Sequence, residues 1–363
     1  MKKTTIFKRP GTRKVTGKKA AFSAAAVIAA VLLLFFLSGI FLINYSLNRI
    51  HYDPETKSPV PFIRTDSDSR TAPESSQNQS GAPESLVEKQ LLEDAASLPE
   101  NQNVFNLLLI GSDSRVPGQK GRSDTMILVS INRRTRRVAF TSFLRDIYLR
   151  IPGIWQENRL NAANAFGGPS LLLETIRRNF QVQVDHYISV DFSSFMKFID
   201  RIGGVEIDVT DDEIAAANEY IRNINLWDSI AENDGVLCSA GKQLLNGKQA
   251  LSYARIRSIG SGDFDRTDRQ RAILRKALEK LKTQSLLESA SLLNTFLPDI
   301  TTNLSKGELL SLLLLLPSYP NYKVESCHIP INGTFSCQNV RGMSVLKIDL
   351  SKNVAEIQKQ ISG

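Results

Sequence analysis

Between Ala254 and Gln270 the chain reads ARIRSIGSGDFDRTDRQ: four arginines, three aspartates, a Gly-Ser-Gly break and no lysine, with Arg271 following at once. A guanidinium is a planar fork that grips phosphate through two hydrogen bonds, whereas an ammonium is a point charge. Arginines among carboxylates that could hold a metal or take a proton point to the handling of a phosphate diester or pyrophosphate. The stretch Asn246–Arg257 has a helical pattern. Two residues apart on a regular helix, Arg255 and Arg257 would diverge by about 200°. Both can reach one ligand only if the helix ends near them, which Gly260 and Gly262 permit. A second helix is expected to begin after Asp263 or Asp265, either of which could cap it. On that helix Arg266, Arg269 and Gln270 share a face that continues through Ile273, Ala277 and Lys280. A helix N-terminus beside arginines is an anion site; the plain alternative is a solvated, charged helix start.

More charged residues stand where strands should end. The run Val104–Ile110 leads into Gly111-Ser112-Asp113, Gly121-Arg122-Ser123-Asp124 leads into the next run, and a third ends at Ser142-Phe143-Leu144-Arg145-Asp146. Polar residues just past strand ends commonly line ligand crevices in α/β folds. Asp113, Arg122, Asp124, Arg145 and Asp146 are therefore site candidates. Asp113 and Asp124 bracket one loop, and two carboxylates are enough to hold a hard cation that keeps other positions for water and phosphate. The alternative is that both bond their own turns. Leu309–Leu316 is apolar on all sides, which suits a buried core helix or one wall of a slot for a long hydrocarbon tail. No GxxxxGK[ST], HExxH or GxSxG pattern occurs, so nucleoside triphosphate, zinc-protease and serine-hydrolase chemistry have no support.

The elements that must position these groups alternate. Val104–Ile110, Thr125–Asn132 and Arg137–Phe143 read as strands, followed by a helix over Asn161–Phe180, a strand at His186–Val190, a helix over Phe192–Ile202, a strand at Val205–Val209 and a helix over Asp211–Asn223. From Gly241 to Pro317 the pattern is mostly helical; Tyr322–Ile329 and Val345–Leu350 read as closing strands before a short last helix. This predicts an α/β domain with a central sheet and helices on both faces.

The N-terminal hundred residues differ. The first 19 hold eight basic side chains and no acidic one, and Ala20–Ile43 is an uncharged apolar run of 24 residues. At about 1.5 Å per residue such a run spans a bilayer core of roughly 30 Å. The run is longer than a cleaved signal peptide's, and a basic flank stays cytoplasmic. The expected layout is a cytoplasmic tail (1–19), a transmembrane signal anchor (20–44), a Pro- and Ser-rich extracellular stalk (45–100) and an extracellular catalytic domain (101–363) at the plasma membrane. Of 45 basic and 37 acidic residues, the eight N-terminal cations account for the whole excess, so the domain is neutral and nucleic acid is not an expected partner. Cys238, Cys327 and Cys337 leave open a 327–337 disulfide and unpaired thiols alike.

The motifs LLLIGSDSR, GRSDTMILVSIN, FLRDIYLRIPG, RLNAANAFGG, HYISVDFSSFMKFIDRIGGVEIDV, LNGKQALSYARIR and DFDRTDRQRAIL, in order from Phe105 to about Leu274, resemble the LytR-CpsA-Psr proteins of bacterial cell envelopes. The resemblance implies an α/β/α domain with a central mixed sheet and a hydrophobic lipid pocket. It implies a phosphotransferase that moves an anionic glycopolymer (teichoic acid, capsule or another wall polymer) from an undecaprenyl-pyrophosphate carrier to a peptidoglycan hydroxyl. By motif position Asp113 and Asp124 would bind Mg²⁺ or Mn²⁺; Arg122, Arg145, Arg255, Arg257, Arg266 and Gln270 would hold the pyrophosphate; Asp263 would be the base and Asp146 a support for Arg145. Hydrolysis of the lipid pyrophosphate and a non-catalytic regulatory role are the competing expectations.

Overall fold

The computed structural model describes residues 51–52, 103–113, 121–282, 299–305, 307–309, 312 and 321–362. In chain order the elements are β1 (His51–Tyr52), β2 (Val104–Ser112), β3 (Ser123–Asn132), β4 (Arg137–Phe143), β5 (Tyr148–Leu149), β6 (Asn158–Arg159), α1 (Leu160–Phe180), β7 (His186–Val190), α2 (Phe192–Arg201), β8 (Val205–Val209), α3 (Asp211–Trp227), β9 (Gly241–Leu245), α4 (Gly247–Arg255), α5 (Asp263–Lys282), β10 (Thr301–Thr302), β11 (Lys323–Ile329), β12 (Phe335–Val340), β13 (Met343–Ile348) and α6 (Leu350–Ser362). Seven strands form one mixed sheet in the order β1-β10-β7-β2-β3-β4-β11. β2, β3 and β4 run antiparallel to their neighbours in the centre, while β7 and β11 add in parallel to β2 and β4.

Alternation along the strands separates two faces. Leu108, Ile110, Met126, Leu128 and Tyr187 pack with α1 and with Ile357 and Ile361 of α6 in one buried cluster. The next residues along the same strands, Leu107, Leu109, Ile127, Val129 and Ile188, turn to the other face and line a cavity. Beyond the cavity lies a second layer, α2, α3, α4 and α5 with the β8–β9 ribbon, which has its own apolar core. Three of these helices begin with strong caps. Asp191 accepts from the Ser194 N–H before α2, and Thr210–Glu213 and Asn246–Gln249 form reciprocal capping boxes before α3 and α4. α4 approaches α2 so closely that a Cβ at Gly247 would collide with the Met196 carbonyl.

The central sheet with helices on both faces agrees with the expectation from the sequence. Three local readings do not. Gly241–Leu245, expected as helix, is β9, because its Lys-Gln-Leu-Leu run pairs with β8. Phe335–Val340 and Met343–Ile348 form a hairpin across Arg341 and Gly342, both with positive φ (53° and 76°). Such turns favour Asn-Gly, so an arginine there gave no turn signal. β5 and β6, two residues each, were too short to leave a pattern. Cys238, Cys327 and Cys337 are unpaired thiols; Cys327 sits on β11 with its Sγ 3.5 Å from Thr141 Oγ1, and Cys337 is exposed on β12. The apolar run Ala20–Ile43 lies outside the described residues, as does the expected stalk over 45–100 except for His51–Tyr52, which pair with β10 as an edge strand of the sheet, and among the described residues no helix is long and apolar enough to cross a membrane.

The two sheet faces should respond differently to truncation. Leu108, fully buried on the α1 side, should cost about 2–5 kcal/mol when changed to Ala. Ile127→Ala removes atoms that already face open space on one side and should cost clearly less. Urea unfolding of the two variants measures the difference; equal costs would mean that the cavity is closed in solution.

Candidate functional site

Three chain segments converge at one end of the cavity. The β4 strand delivers Arg145 and Asp146 just past its last residue, β3 delivers Asp124 near its start, and α5 opens with Asp263. α4 stops at Arg255: Ile256 has φ −56° and ψ 128°, an extended conformation, so Arg255 and Arg257 can serve the same site. Gly260 and Gly262 carry the turn with φ of 63° and 64°. Neither aspartate caps α5 as anticipated. Asp263 is its first residue, and Asp265 reaches back to the Ser261 N–H at 2.8 Å. A Cβ at Gly260 would collide with that Asp265 carboxylate, so the tight turn needs a glycine.

Arg145 is the hub. Its Nη1 donates to Asp124 Oδ1 at 2.9 Å and its Nε to Asp263 Oδ2 at 3.1 Å, with Asp146 Oδ2 3.6 Å away. Burial by itself would pull this guanidinium down, but Asp263, Asp124 and Asp146 together hold it above the usual arginine range. Asp146 moves the other way for a carboxylate. Burial and its neighbour Asp263 raise it, against the pull of Arg145 and Arg159. Asp263 also faces Arg266 Nη2 at 3.4 Å and Arg257 Nη1 at 3.9 Å. Arg266 is 3% exposed, and its Nε and Nη2 lack any hydrogen-bond acceptor among the described residues. Burial lowers it below the usual arginine range. Buried donors without acceptors are rare because they cost free energy, and the oxygens of an anionic ligand would satisfy them.

The cavity opens on this cluster. It measures about 420 Å³, within the range of small-molecule sites. Asp124, Arg255, Arg257, Arg266 and Gln270 line one end, and the remainder of the wall is mostly aliphatic and aromatic. The Arg255 guanidinium lies 4.7 Å from the ring centre of Phe192 and 5.0 Å from that of Tyr220. Two aromatic faces thus hold this cation in place by cation–π attraction. Along α5 the wall runs from Arg266 to Leu278, about 18 Å at the helical rise.

Most of the anticipated residues thus meet: Asp124, Arg145, Asp146, Asp263, Arg255, Arg257, Arg266 and Gln270. Asp113 and Arg122 are not among the residues that line the cavity; a hydrogen bond from the Asp113 N–H to the Arg122 carbonyl at 3.1 Å joins their backbones next to Asp124. Leu312 of the Leu-rich segment lines the cavity, which agrees with the slot-wall reading at that position; most of the segment is outside the described residues. Sequence reasoning missed Arg159, whose Nη1 donates to Asp146 Oδ1 at 3.2 Å, and the clamp residues Phe192 and Tyr220. It placed Arg269 beside Arg266, yet Arg269 turns away to Glu213 Oε1 at 2.8 Å and the Ile256 carbonyl at 3.3 Å. There it ties α5 to α3 and to the end of α4.

A family model described as the LytR_cpsA_psr family matches residues 63–362. The chain belongs to this family. Over 218 residues it is 32% identical to a protein of Enterococcus faecalis named polyisoprenyl-teichoic acid–peptidoglycan teichoic acid transferase TagU, covering 59% of this chain and 66% of the relative. It is 29% identical over 266 residues to regulatory protein MsrR of Staphylococcus aureus, covering 71% of this chain and 75% of MsrR. The structure of TagT bound to LIIa-WTA aligns with a TM-score of 0.58 at 26% identity, over 72% of this chain and 92% of that one. The chain spans just under two thirds of the length of the TagU relatives that match it first. Within this LytR_cpsA_psr protein, the seven motifs fall on β2 to α5, the elements that build the cavity and its charged end.

The Arg269–Glu213 strut gives a pH signature. Burial alone would raise Glu213, but hydrogen bonds from Arg269 and from the Thr210 N–H outweigh it and hold the carboxyl below its ordinary value. A depressed folded-state value means stability that is present above the unfolded value of 4.5 and lost as pH falls through the folded one. Wild type should therefore exceed Glu213→Gln in unfolding free energy at neutral pH, with the gap closing below about pH 4.5. Denaturation at several pH values checks it; a gap independent of pH contradicts the strut.

Proposed function

We propose that this protein transfers an anionic glycopolymer, such as a teichoic acid, from an undecaprenyl-pyrophosphate carrier to a hydroxyl of peptidoglycan. The observation that carries the reading is an apolar cavity ending on a cluster of arginines, of which buried Arg266 has two donors, Nε and Nη2, without a hydrogen-bond acceptor among the described residues. A prenyl tail suits the wall and a pyrophosphate suits the end. Relatives named as teichoic acid transferases and the fold shared with TagT bound to LIIa-WTA support it.

The chemistry follows from the residue types. The acceptor hydroxyl oxygen attacks the phosphorus that carries the glycan. The bond from that phosphorus to the bridging oxygen breaks, and prenyl phosphate leaves with the electron pair. Asp263 is the proposed base: its Oδ2 accepts from Arg145 Nε, while Oδ1 faces Arg257 at 3.9 Å and would receive the hydroxyl proton. Arg255, Arg257, Arg266 and Gln270, joined by Arg122, would spread the negative charge that grows on the leaving phosphate. Asp146 and Arg159 would keep Arg145 aimed. Asp113 and Asp124 would hold Mg²⁺ or Mn²⁺, since Asp124 faces the cavity and spends only Oδ1 on Arg145. When bound, that cation supplies positive charge to the phosphate oxygens. The apolar run 20–44 would anchor the enzyme with its basic tail in the cytoplasm and the domain outside.

Incubating the full-length enzyme with lipid-linked glycopolymer, with and without peptidoglycan oligomers, tests the reaction. Polymer should become covalently attached to peptidoglycan; release of free polymer at the same rate in both mixtures would point to hydrolysis instead. Arg257→Ala, at a 38% exposed side chain, should lower turnover about 100-fold with little change in stability. Val129→Phe, which fills the slot far from the charges, should instead abolish capture of the lipid-linked substrate. Wild-type transfer by both variants would remove this site from the reaction.

A further inference from the structure

The charged cluster around Arg145 has a second neighbour, outside the cavity. The segment that carries Asp146 runs on as β5, which other strands extend into a small sheet. On one side β6 pairs with it, Arg159 opposite Tyr148. On the other side Ile147 bridges Leu346 of β13 in parallel, and the Leu346 N–H donates to the Asp146 carbonyl at 2.8 Å. β13 in turn pairs with β12, so the order is β6-β5-β13-β12. Paired residues share a face of a sheet, and neighbours along a strand alternate. Ile147, Leu149, Leu346 and Ile348 turn to the apolar core. The opposite face carries a polar row, Arg159, Tyr148, Lys347 and Ser336, one residue from each strand. Across three strand spacings the row is about 14 Å long. It starts at the charged cluster, because Arg159 Nη1 donates to Asp146, and none of the four residues lines the cavity.

The row is aromatic and cationic. Lys347 Nζ lies 5.8 Å from the centre of the Tyr148 ring. Arg341, in the β12–β13 turn, reaches across to β5. Its Nη2 donates to Tyr148 Oη at 3.1 Å and to the carbonyl of Glu157, in the loop that joins β5 to β6, at 2.6 Å. Two residues before Glu157 in that loop, Trp155 is 70% exposed. Arg341 and Lys347 are both exposed, and neither has an ion-pair partner among the described residues. The contacts to Tyr148 and Glu157 hold the Arg341 guanidinium in place, while its Nε and Nη1 donate to no described residue. Two cations are thus fixed beside a tyrosine ring without an anion to meet them.

We infer that Tyr148, Arg341 and Lys347, with Trp155 beside them, form a subsite for the phosphate-bearing saccharide or polyol chain of the donor. This rests on the proposed transfer reaction and goes beyond it by assigning the surface that holds the polymer. With the prenyl tail in the slot and the pyrophosphate on the arginines, the polymer must leave the charged cluster outside the cavity. The row begins there. Guanidinium and ammonium groups suit phosphate diesters, and aromatic rings present apolar faces to the C–H faces of a sugar. Peptidoglycan has an uncharged glycan backbone and has less use for two unpaired cations, so charge complementarity favours the anionic donor polymer.

Isothermal titration of the full-length protein with a lipid-free oligo(glycerol phosphate) reads this surface without any transfer step. Arg341→Gln/Lys347→Gln should bind the oligomer about tenfold more weakly than wild type, and high salt should shrink the difference. Both side chains are exposed, so the variant should keep the wild-type melting temperature. Arg133→Gln/Arg134→Gln removes the same charge from the exposed β3–β4 turn and should bind as wild type does. Equal affinity in wild type and Arg341→Gln/Lys347→Gln, or equal loss in the two double variants, overturns the subsite. So does a phosphate-free muropeptide that binds through Arg341 and Lys347 when the oligomer does not. In the transfer assay Arg341→Gln/Lys347→Gln should raise KM for the lipid-linked polymer about tenfold and leave kcat near wild type. Oligomer binding that depends on this pair, in a protein that transfers nothing, would count against the reaction alone. Transfer with an unaltered KM in the double variant would count against the subsite alone.

Discussion

The structure depends on one half-buried guanidinium. Arg145 joins the end of β4 to Asp124 on β3 and to Asp263 at the head of α5, and Asp146 lies beside it. Ionised groups taken out of water repay their desolvation only when partners stand at close range. Three carboxylates around one arginine more than repay it here, and their surplus negative charge is what lets Arg257 and Arg266 approach. The network is thus a scaffold of alternating charges whose outermost cations remain under-satisfied. An anionic ligand completes it.

The other constraint is the space between the layers. The sheet has two apolar faces, as any strand set buried on both sides must. One face is closed by α1 and α6. The second is held away from its helices, which are stabilised by a separate core of their own and by the Arg269–Glu213 strut. Two self-sufficient layers can stand apart without collapsing, and the gap is a slot walled by the residues that would otherwise interdigitate. Charge knot and slot are mechanically linked, because α5 provides both the arginines at its head and the apolar wall along its length.

Much of this was legible in the sequence. The two-residue offset between Arg255 and Arg257 demanded a helix end, and the helix stops at Arg255. Gly260 and Gly262 marked the turn, and the stripe from Arg266 through Ile273 and Ala277 marked the inward face of α5. What stayed hidden depended on partners far away in the chain. Arg269 has the spacing of its neighbours, but Glu213 lies 56 residues earlier and captures it. Phe192 and Tyr220 looked like ordinary helix residues until folding stacked them on Arg255. Arg159 sits on a strand of two residues, too short to show periodicity. The family resemblance implied a lipid pocket and the Leu-rich run offered one wall of a slot, but the strands themselves could not locate it: a strand packed against helices and a strand facing an open slot have the same apolar pattern.

The central claim is that this slot holds an isoprenoid whose phosphates meet the arginines. Native mass spectrometry of the full chain, released gently from membranes, addresses it most directly. The account predicts one bound polyprenyl phosphate or pyrophosphate per protein, retained by wild type and absent when Val129 is replaced by Phe. A wild-type protein that emerges without lipid and takes up none when polyprenyl pyrophosphate is added would contradict it.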